Sequence, residues 1–214
     1  MKPTFDPIQK RKMMKKTILL FAVLLVGFGA KMSAQEYWNF GVKGGVNFTN
    51  MTSDGFEENN SRTGFHLGVL AEIPVSDRFS VQPEVLYSTQ GTEATRVVAG
   101  DRYTGEYQLD YVQVPVLAKI YLIDGLALEV GPSFNFLANE KYDFDSSALD
   151  AEFDSDMASS FEFGGAAGVS YKFNNGFFLD GRYTQGFSNV YDSNDFDGDA
   201  IKNNGFQLGV GFMF

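Results

Sequence analysis

Apolar and polar residues alternate with a period of two from about residue 37 onward, the repeat of an extended strand with different surroundings on its two faces. The alternation breaks into eight runs, at about 37–49, 62–75, 78–91, 105–121, 125–138, 158–173, 176–188 and 203–214, and each predicts a strand. No run shows a convincing helical period. Most are ten residues or longer, which suits a tilted strand crossing a bilayer, for which about 9–11 residues lie in the hydrocarbon.

The connections alternate in length. Ser76-Asp77, 122–125 (LIDG) and Asn174-Asn175-Gly176 read as tight turns, Asn-Gly being a strong hairpin signal because both residues tolerate positive φ. Longer polar segments fall at about 50–61, 92–104, 139–157 and 189–202 and are expected to be loops. Short turns at one end, long loops at the other and an even strand number make the pattern of a bacterial outer-membrane barrel. The fold expected is therefore all-β: an eight-stranded antiparallel transmembrane up-and-down β-barrel, with both termini on the short-turn side.

One register of the strands collects Trp38, Phe40, Val42, Val46 and Phe48, then Phe65, Leu67, Val69 and Ile73, then Phe79, Val81, Val85 and Tyr87. It continues through Val112, Val116 and Ile120, Leu128, Val130, Phe134 and Phe136, Phe161, Phe163, Val169, Tyr171 and Phe173, Phe177, Leu179 and Tyr183, and ends on Phe206, Leu208, Val210, Phe212 and Phe214. No charged residue falls in this register. Lipid imposes such an absence, since Arg or Lys on the lipid face costs about 2–4 kcal/mol at the midplane. A soluble barrel with this face inward is the competing reading. An eight-stranded barrel has room for little more than its own side chains, and the seventeen aromatics of this register would overfill it. The opposite register, with Gly41, Gly45, Gly68, Gly164, Gly168, Gly209 and Gly211, reads as small and polar and fits inside.

Composition adds a compartment. Lys15 and Lys16 precede an apolar run of 13 residues, 17–29 (TILLFAVLLVGFG), with Ser33 and Ala34 following, the layout of a cleavable signal peptide. Two parts are expected: an N-terminal extension and signal peptide over 1–34, with cleavage after Ala34, and a barrel domain over 35–214. Met13 or Met14 would make a more ordinary start. There is no Cys, so neither disulfides nor thiol chemistry arise. Removing 1–34 takes away seven Lys/Arg and one acidic residue and moves the net charge from −10 to −16. That balance disfavours nucleic acid as a partner.

The stretches 111–121 (YVQVPVLAKIY), 125–137 (GLALEVGPSFNFL) and 181–186 (GRYTQG), with 41–47 (GVKGGVN) and 205–214 (GFQLGVGFMF), resemble the PorT-like outer membrane β-barrel family of Bacteroidota, small barrels of OmpA/OmpX-like architecture. The resemblance covers essentially all of 35–214. It implies an outer-membrane barrel, and one branch of that family is linked to protein secretion. The alternation that ends on Phe214 looks like the signal read by the outer-membrane assembly machinery, which would make that machinery a partner. Outer-membrane lipid and lipopolysaccharide would surround the wall.

Seven charged residues fall in the inward register: Lys43, Glu72, Glu84, Lys119, Glu129, Asp180 and Arg182. Buried charges persist when paired and hydrogen-bonded, so these are expected to form an ionic plug. The alternative is a narrow porin-like path, gated by pairs such as Glu129–Lys119 exchanging partners. Which acid meets which base depends on shear, which the sequence does not give. His66, the single histidine, also falls inward, with Ser88 and Glu162 at similar height as conceivable partners in a hydrolase triad. The acidic segments 142–156 (YDFDSSALDAEFDSD) and 191–199 (YDSNDFDGD) place carboxylates two apart, and Asp195, Asp197 and Asp199 are weak Ca²⁺ candidates. That run lacks the sixth-position glycine and twelfth-position acid of an EF-hand. No cofactor is expected. The leading expectation is a non-enzymatic barrel with a structural or surface-interaction role and an unknown surface ligand.

Overall fold

The computed structural model describes residues 38–52, 60–98, 101–146, 149–154, 159–188 and 202–214. The signal-peptide segment and Asp195, Asp197 and Asp199 lie outside the described residues. Nine strands are present among them: β1 (Asn39–Thr52), β2 (Asn60–Ser76), β3 (Phe79–Val98), β4 (Asp101–Ile123), β5 (Leu126–Ser146), β6 (Leu149–Asp154), β7 (Phe161–Lys172), β8 (Phe177–Gly186) and β9 (Lys202–Met213).

Eight of these are the staves of a closed antiparallel barrel in the cyclic order β1, β2, β3, β4, β5, β7, β8, β9. Closure is made by β9 on β1, in continuous register from Gly41↔Met213 to Thr52↔Lys202. The eight staves leave no free edge within the cylinder, so their backbone donors and acceptors are satisfied between strands, the condition for crossing a membrane with β structure. The short β6 pairs only with β5, from Lys141↔Asp154 to Ser146↔Leu149, beyond the point where β7 has left it.

The three tight turns lie at one end. Gly125 (φ 82°) and Gly176 (φ 90°) take the left-handed conformation that glycine permits at no steric cost, and Asn175 Oδ1 accepts the Phe177 N–H at 3.2 Å. At the other end the strands run on. Residues 92–104 and 139–157, expected to be loops, are largely strand: β3 and β4 stay paired up to Val98↔Asp101, and β5 continues to Ser146 and turns into β6. The reason is physical. Above the bilayer neither face needs to be apolar, so the period-two signal fades while pairing continues.

The outward face matches the apolar register. Phe40, Leu67, Val69, Val130, Leu179, Phe206, Leu208 and Val210 are all at least half exposed. Along β1 this face runs from Phe40 to Phe48, nine residues, which at about 3.3 Å per residue and a tilt of about 40° is about 23 Å of height. An outer-membrane apolar band is about 25 Å tall. Aromatic rings edge it at both ends. Phe177–Phe212 (5.1 Å) and Tyr171–Phe173 (4.8 Å) lie on the short-turn side. Phe134–Phe163 (5.6 Å), Phe136–Phe161 (5.4 Å) and Tyr183–Phe206 (5.1 Å) lie on the other. These are the interfacial girdles of a membrane barrel.

The inward face is less uniformly small and polar than the sequence suggested. Leu70, Leu86, Leu109, Tyr111, Leu117 and Phe178 are buried there beside the polar groups. Glycine makes the room. A Cβ on Gly211 would lie 2.2 Å from the Phe178 ring, and one on Gly209 would lie 2.3 Å from Asp180 Oδ2. Large residues on one stave stand against glycines on the next, as a narrow barrel requires.

Candidate functional site: the bridged lumen

The inward residues of the lower half meet in one ionic network. Arg182 on β8 donates from Nη1 to Glu84 Oε2 at 2.9 Å and from Nη2 to Glu84 Oε1 at 3.0 Å. In the cyclic order β3 and β8 are four staves apart, so this bidentate pair crosses the full width of the lumen. Nη2 also reaches Glu129 Oε2 on β5 at 3.0 Å. Lys43 on β1 donates to Asp180 Oδ1 at 2.7 Å and lies 3.8 Å from Glu84. Lys119 on β4 lies 3.5 Å from Glu129 and 3.9 Å from Glu72, and donates to Gln82 Oε1 at 3.0 Å. Gln82 in turn donates to Glu84 Oε1 at 2.7 Å.

All seven inward charges named from the sequence thus belong to one cluster, each no more than 6% exposed. An eighth charge was missed. Lys172, at the end of β7, lies 3.3 Å from Glu72 Oε2 on β2, again four staves away. Its parity, opposite to Tyr171 and Phe173, was the available signal. With it four cations face four carboxylates. Glu72 also accepts from Ser80 Oγ at 3.0 Å and from the Tyr121 hydroxyl. Taking charges out of water costs several kcal/mol each unless partners and hydrogen bonds compensate, and here every carboxylate has both.

Above the charges the lumen is bridged by amides and hydroxyls. Gln207 Nε2 on β9 donates to Gln113 Oε1 on β4 at 3.2 Å, a third bridge across opposite staves. Asn203 Nδ2, also on β9, donates to Gln90 Oε1 on β3 at 2.5 Å. The lumen is therefore crossed at several heights.

His66, Ser88 and Glu162 are not brought together as a triad. His66 Nδ1 lies 2.8 Å from Asn47 Oδ1, and Nε2 has no hydrogen-bond partner. Ser88 Oγ accepts from Asn47 Nδ2 and from Gln90 Nε2, both at 3.0 Å. Glu162 accepts from Asn135 Nδ2 at 2.9 Å on the far side of the barrel. Asn47 thus takes the Nδ1 side of His66, where the acid of a triad would sit. Among the described residues no group of three or more His, Asp or Glu is placed to hold a metal ion.

A lipid-facing apolar wall with aromatic girdles, closed antiparallel staves and a filled polar lumen define a small transmembrane barrel of the outer membrane. Residues 32–192 match the family described as outer membrane protein beta-barrel domain, and the chain belongs to that family. Its location is the outer membrane, so lipid and lipopolysaccharide surround the wall. Neisserial surface protein A is similar in fold, at 15% identity over 82% of this chain and 97% of its own, with a TM-score of 0.53. The attachment invasion locus protein Ail of Yersinia pestis is 15% identical over 82% of this chain and 98% of its own, with a TM-score of 0.48. OprG of Pseudomonas aeruginosa is 12% identical over 86% of this chain and 99% of its own, with a TM-score of 0.41. None of the curated proteins matches the sequence.

Proposed function

We propose that this chain is a closed, non-enzymatic outer-membrane barrel whose work is done at the cell surface. The observation that carries the reading is the set of cross-lumen bridges. Arg182–Glu84, Lys172–Glu72 and Gln207–Gln113 each tie opposite staves, at three heights, among buried neighbours. A hydrated ion would have to break the bidentate pair and give up part of the pairing of both buried charges in order to pass.

The surface role rests on the overhang. β4 has 23 residues, about 76 Å of chain and about 58 Å of height at a tilt of about 40°, more than twice the apolar band. Most of the excess lies away from the tight turns, in a paired platform made by β3, β4, β5 and β6. The remaining parts of the reading concern identity and assembly. The similarity of 111–121 and 125–137 to PorT-like barrels supports kinship with that family, and the alternation from Phe206 to Phe214 supports recognition by the assembly machinery.

Replacing 92–106 and 139–157 with two-residue turns tests the surface role. The shortened barrel is expected to remain heat-modifiable on gels and to reach the outer membrane. Cells displaying it should lose adhesion, to one another or to matrix-coated surfaces, relative to cells displaying the full chain. Unchanged adhesion with intact display would contradict a surface role for the platform.

A further inference from the structure

The sheet above the bilayer has an unpartnered edge. β6 has β5 on one side and, among the described residues, no strand on the other. Successive residues of a strand turn their N–H and C=O groups to opposite sides. About half of those along Leu149–Asp154 therefore point away from β5, a row of donors and acceptors open to a further strand.

The register sorts the residues beside that edge by face. Lys141↔Asp154, Asp143↔Glu152 and Asp145↔Asp150 occupy one face, and Tyr142↔Phe153, Phe144↔Ala151 and Ser146↔Leu149 the other. The first face holds five acidic positions against one basic position. Acid stands directly opposite acid twice, an unfavourable arrangement within one hairpin. Along β6 itself the acidic positions 150, 152 and 154 alternate with the apolar positions 149, 151 and 153. A strand laid beside β6 at the usual spacing of about 4.8 Å would set its own alternate residues against those two rows.

The charge pattern selects the occupant. A second copy pairing β6 with β6 would set acids beside acids. The edge of β3 beyond Glu93, where β2 has left it, holds a single cation, Arg96. Residues 53–59, 155–158 and 189–201 contain no Lys or Arg, so these segments of the chain lack the matching charge as well.

We propose that the free edge of β6 docks an extended segment of a partner protein in which Lys or Arg stands at every second position, with apolar residues between. Main-chain hydrogen bonds hold such a strand, and the alternating residues on either face select it. The same acids that keep two copies from pairing edge to edge choose the cationic partner. This inference rests on the surface role proposed above and names the chemistry of its partner.

The test uses the whole barrel folded in nanodiscs of phosphatidylcholine, whose neutral surface does not itself attract cationic peptides, at about 0.15 M salt. Three labelled peptides are titrated by fluorescence anisotropy: KVKVKVK, KKKKVVV of the same composition, and EVEVEVE. Saturable binding of KVKVKVK is expected, roughly tenfold tighter than that of KKKKVVV, with none of EVEVEVE. Hydrogen exchange should slow at alternate amides of Leu149–Asp154 when KVKVKVK is bound. The double variant Asp150→Lys, Glu152→Lys should remain heat-modifiable and change its preference to EVEVEVE. Absent binding, equal binding of the two lysine peptides, no added protection in β6, or an unchanged preference in the double variant would each overturn the proposal. Lost adhesion on removing the platform, with no peptide bound by the full barrel, would end this inference and leave the surface role standing. Peptide docking on β6 with adhesion unchanged would end the surface role and leave the docking edge.

Discussion

Arg182 is the residue on which the lumen turns. It meets Glu84, Glu129 and Asp180, at 2.9, 3.0 and 3.6 Å, from three different staves. Removing one partner of a buried ionic group strands the others, at a cost of about 3–5 kcal/mol. Arg182→Met is therefore expected to lower stability by about that amount in urea unfolding followed by Trp38 fluorescence. A loss below about 1 kcal/mol would mean that the network is far more hydrated than its burial indicates. Gly209 makes a steric counterpart. A Val there places its Cβ within 2.3 Å of Asp180 Oδ2, and overpacking of this kind costs about 1–3 kcal/mol. Parity along the strands was enough to name the inward charges. Pairing was not legible, because Arg182 and Glu84 are 98 positions apart and meet only through the stagger of the closed barrel. Lys172 escaped notice at a strand end, and Asn47, whose small amide occupies the place beside His66, carries no sequence signal of its role.

At the scale of the strand, the alternation was a reliable guide wherever lipid lay on one side. Along β9, Phe206, Leu208 and Val210 face out while Asn203 and Gln207 are buried. Leu208→Arg is expected to destabilise the barrel by about 2–4 kcal/mol if it sits near the midplane, with Leu208→Ala far milder. Equal, small effects from both substitutions, read from folding in lipid vesicles, would argue against a membrane-facing wall. The guide failed at 92–104 and 139–157. There the pairing of β3 with β4 and of β5 with β6 continues, but nothing outside the membrane demands an apolar face. What could have been read is β-propensity: Thr92, Thr95, Val97, Val98 and Tyr103 are strand formers between the expected strands. Hydrogen exchange separates the two descriptions. Amide protons at Glu106 and Tyr107, paired on both sides, should exchange much more slowly than those of an open loop; exchange at loop rates would contradict the platform.

At the scale of the whole barrel, the described strands make two parts stacked along one axis. The lower is a membrane cylinder whose wall is apolar and whose lumen holds four cations against four carboxylates. The upper is a platform of strands that continues the same staves into the space above the bilayer. Length, strand number and sidedness of the turns were all present in the sequence, because each follows from local periodicity and turn chemistry. An ionic plug was expected from the seven inward charges; the pairs across the cylinder on which the proposed closure rests were not legible. Single-channel conductance of the folded protein in planar bilayers tests that closure most directly, run beside Arg182→Ala and Glu84→Ala. No steady conductance is expected from the native protein, with openings emerging only when a bridge is removed. A stable, ohmic conductance in the native protein, unchanged by either substitution, would contradict a sealed lumen and make this barrel a channel.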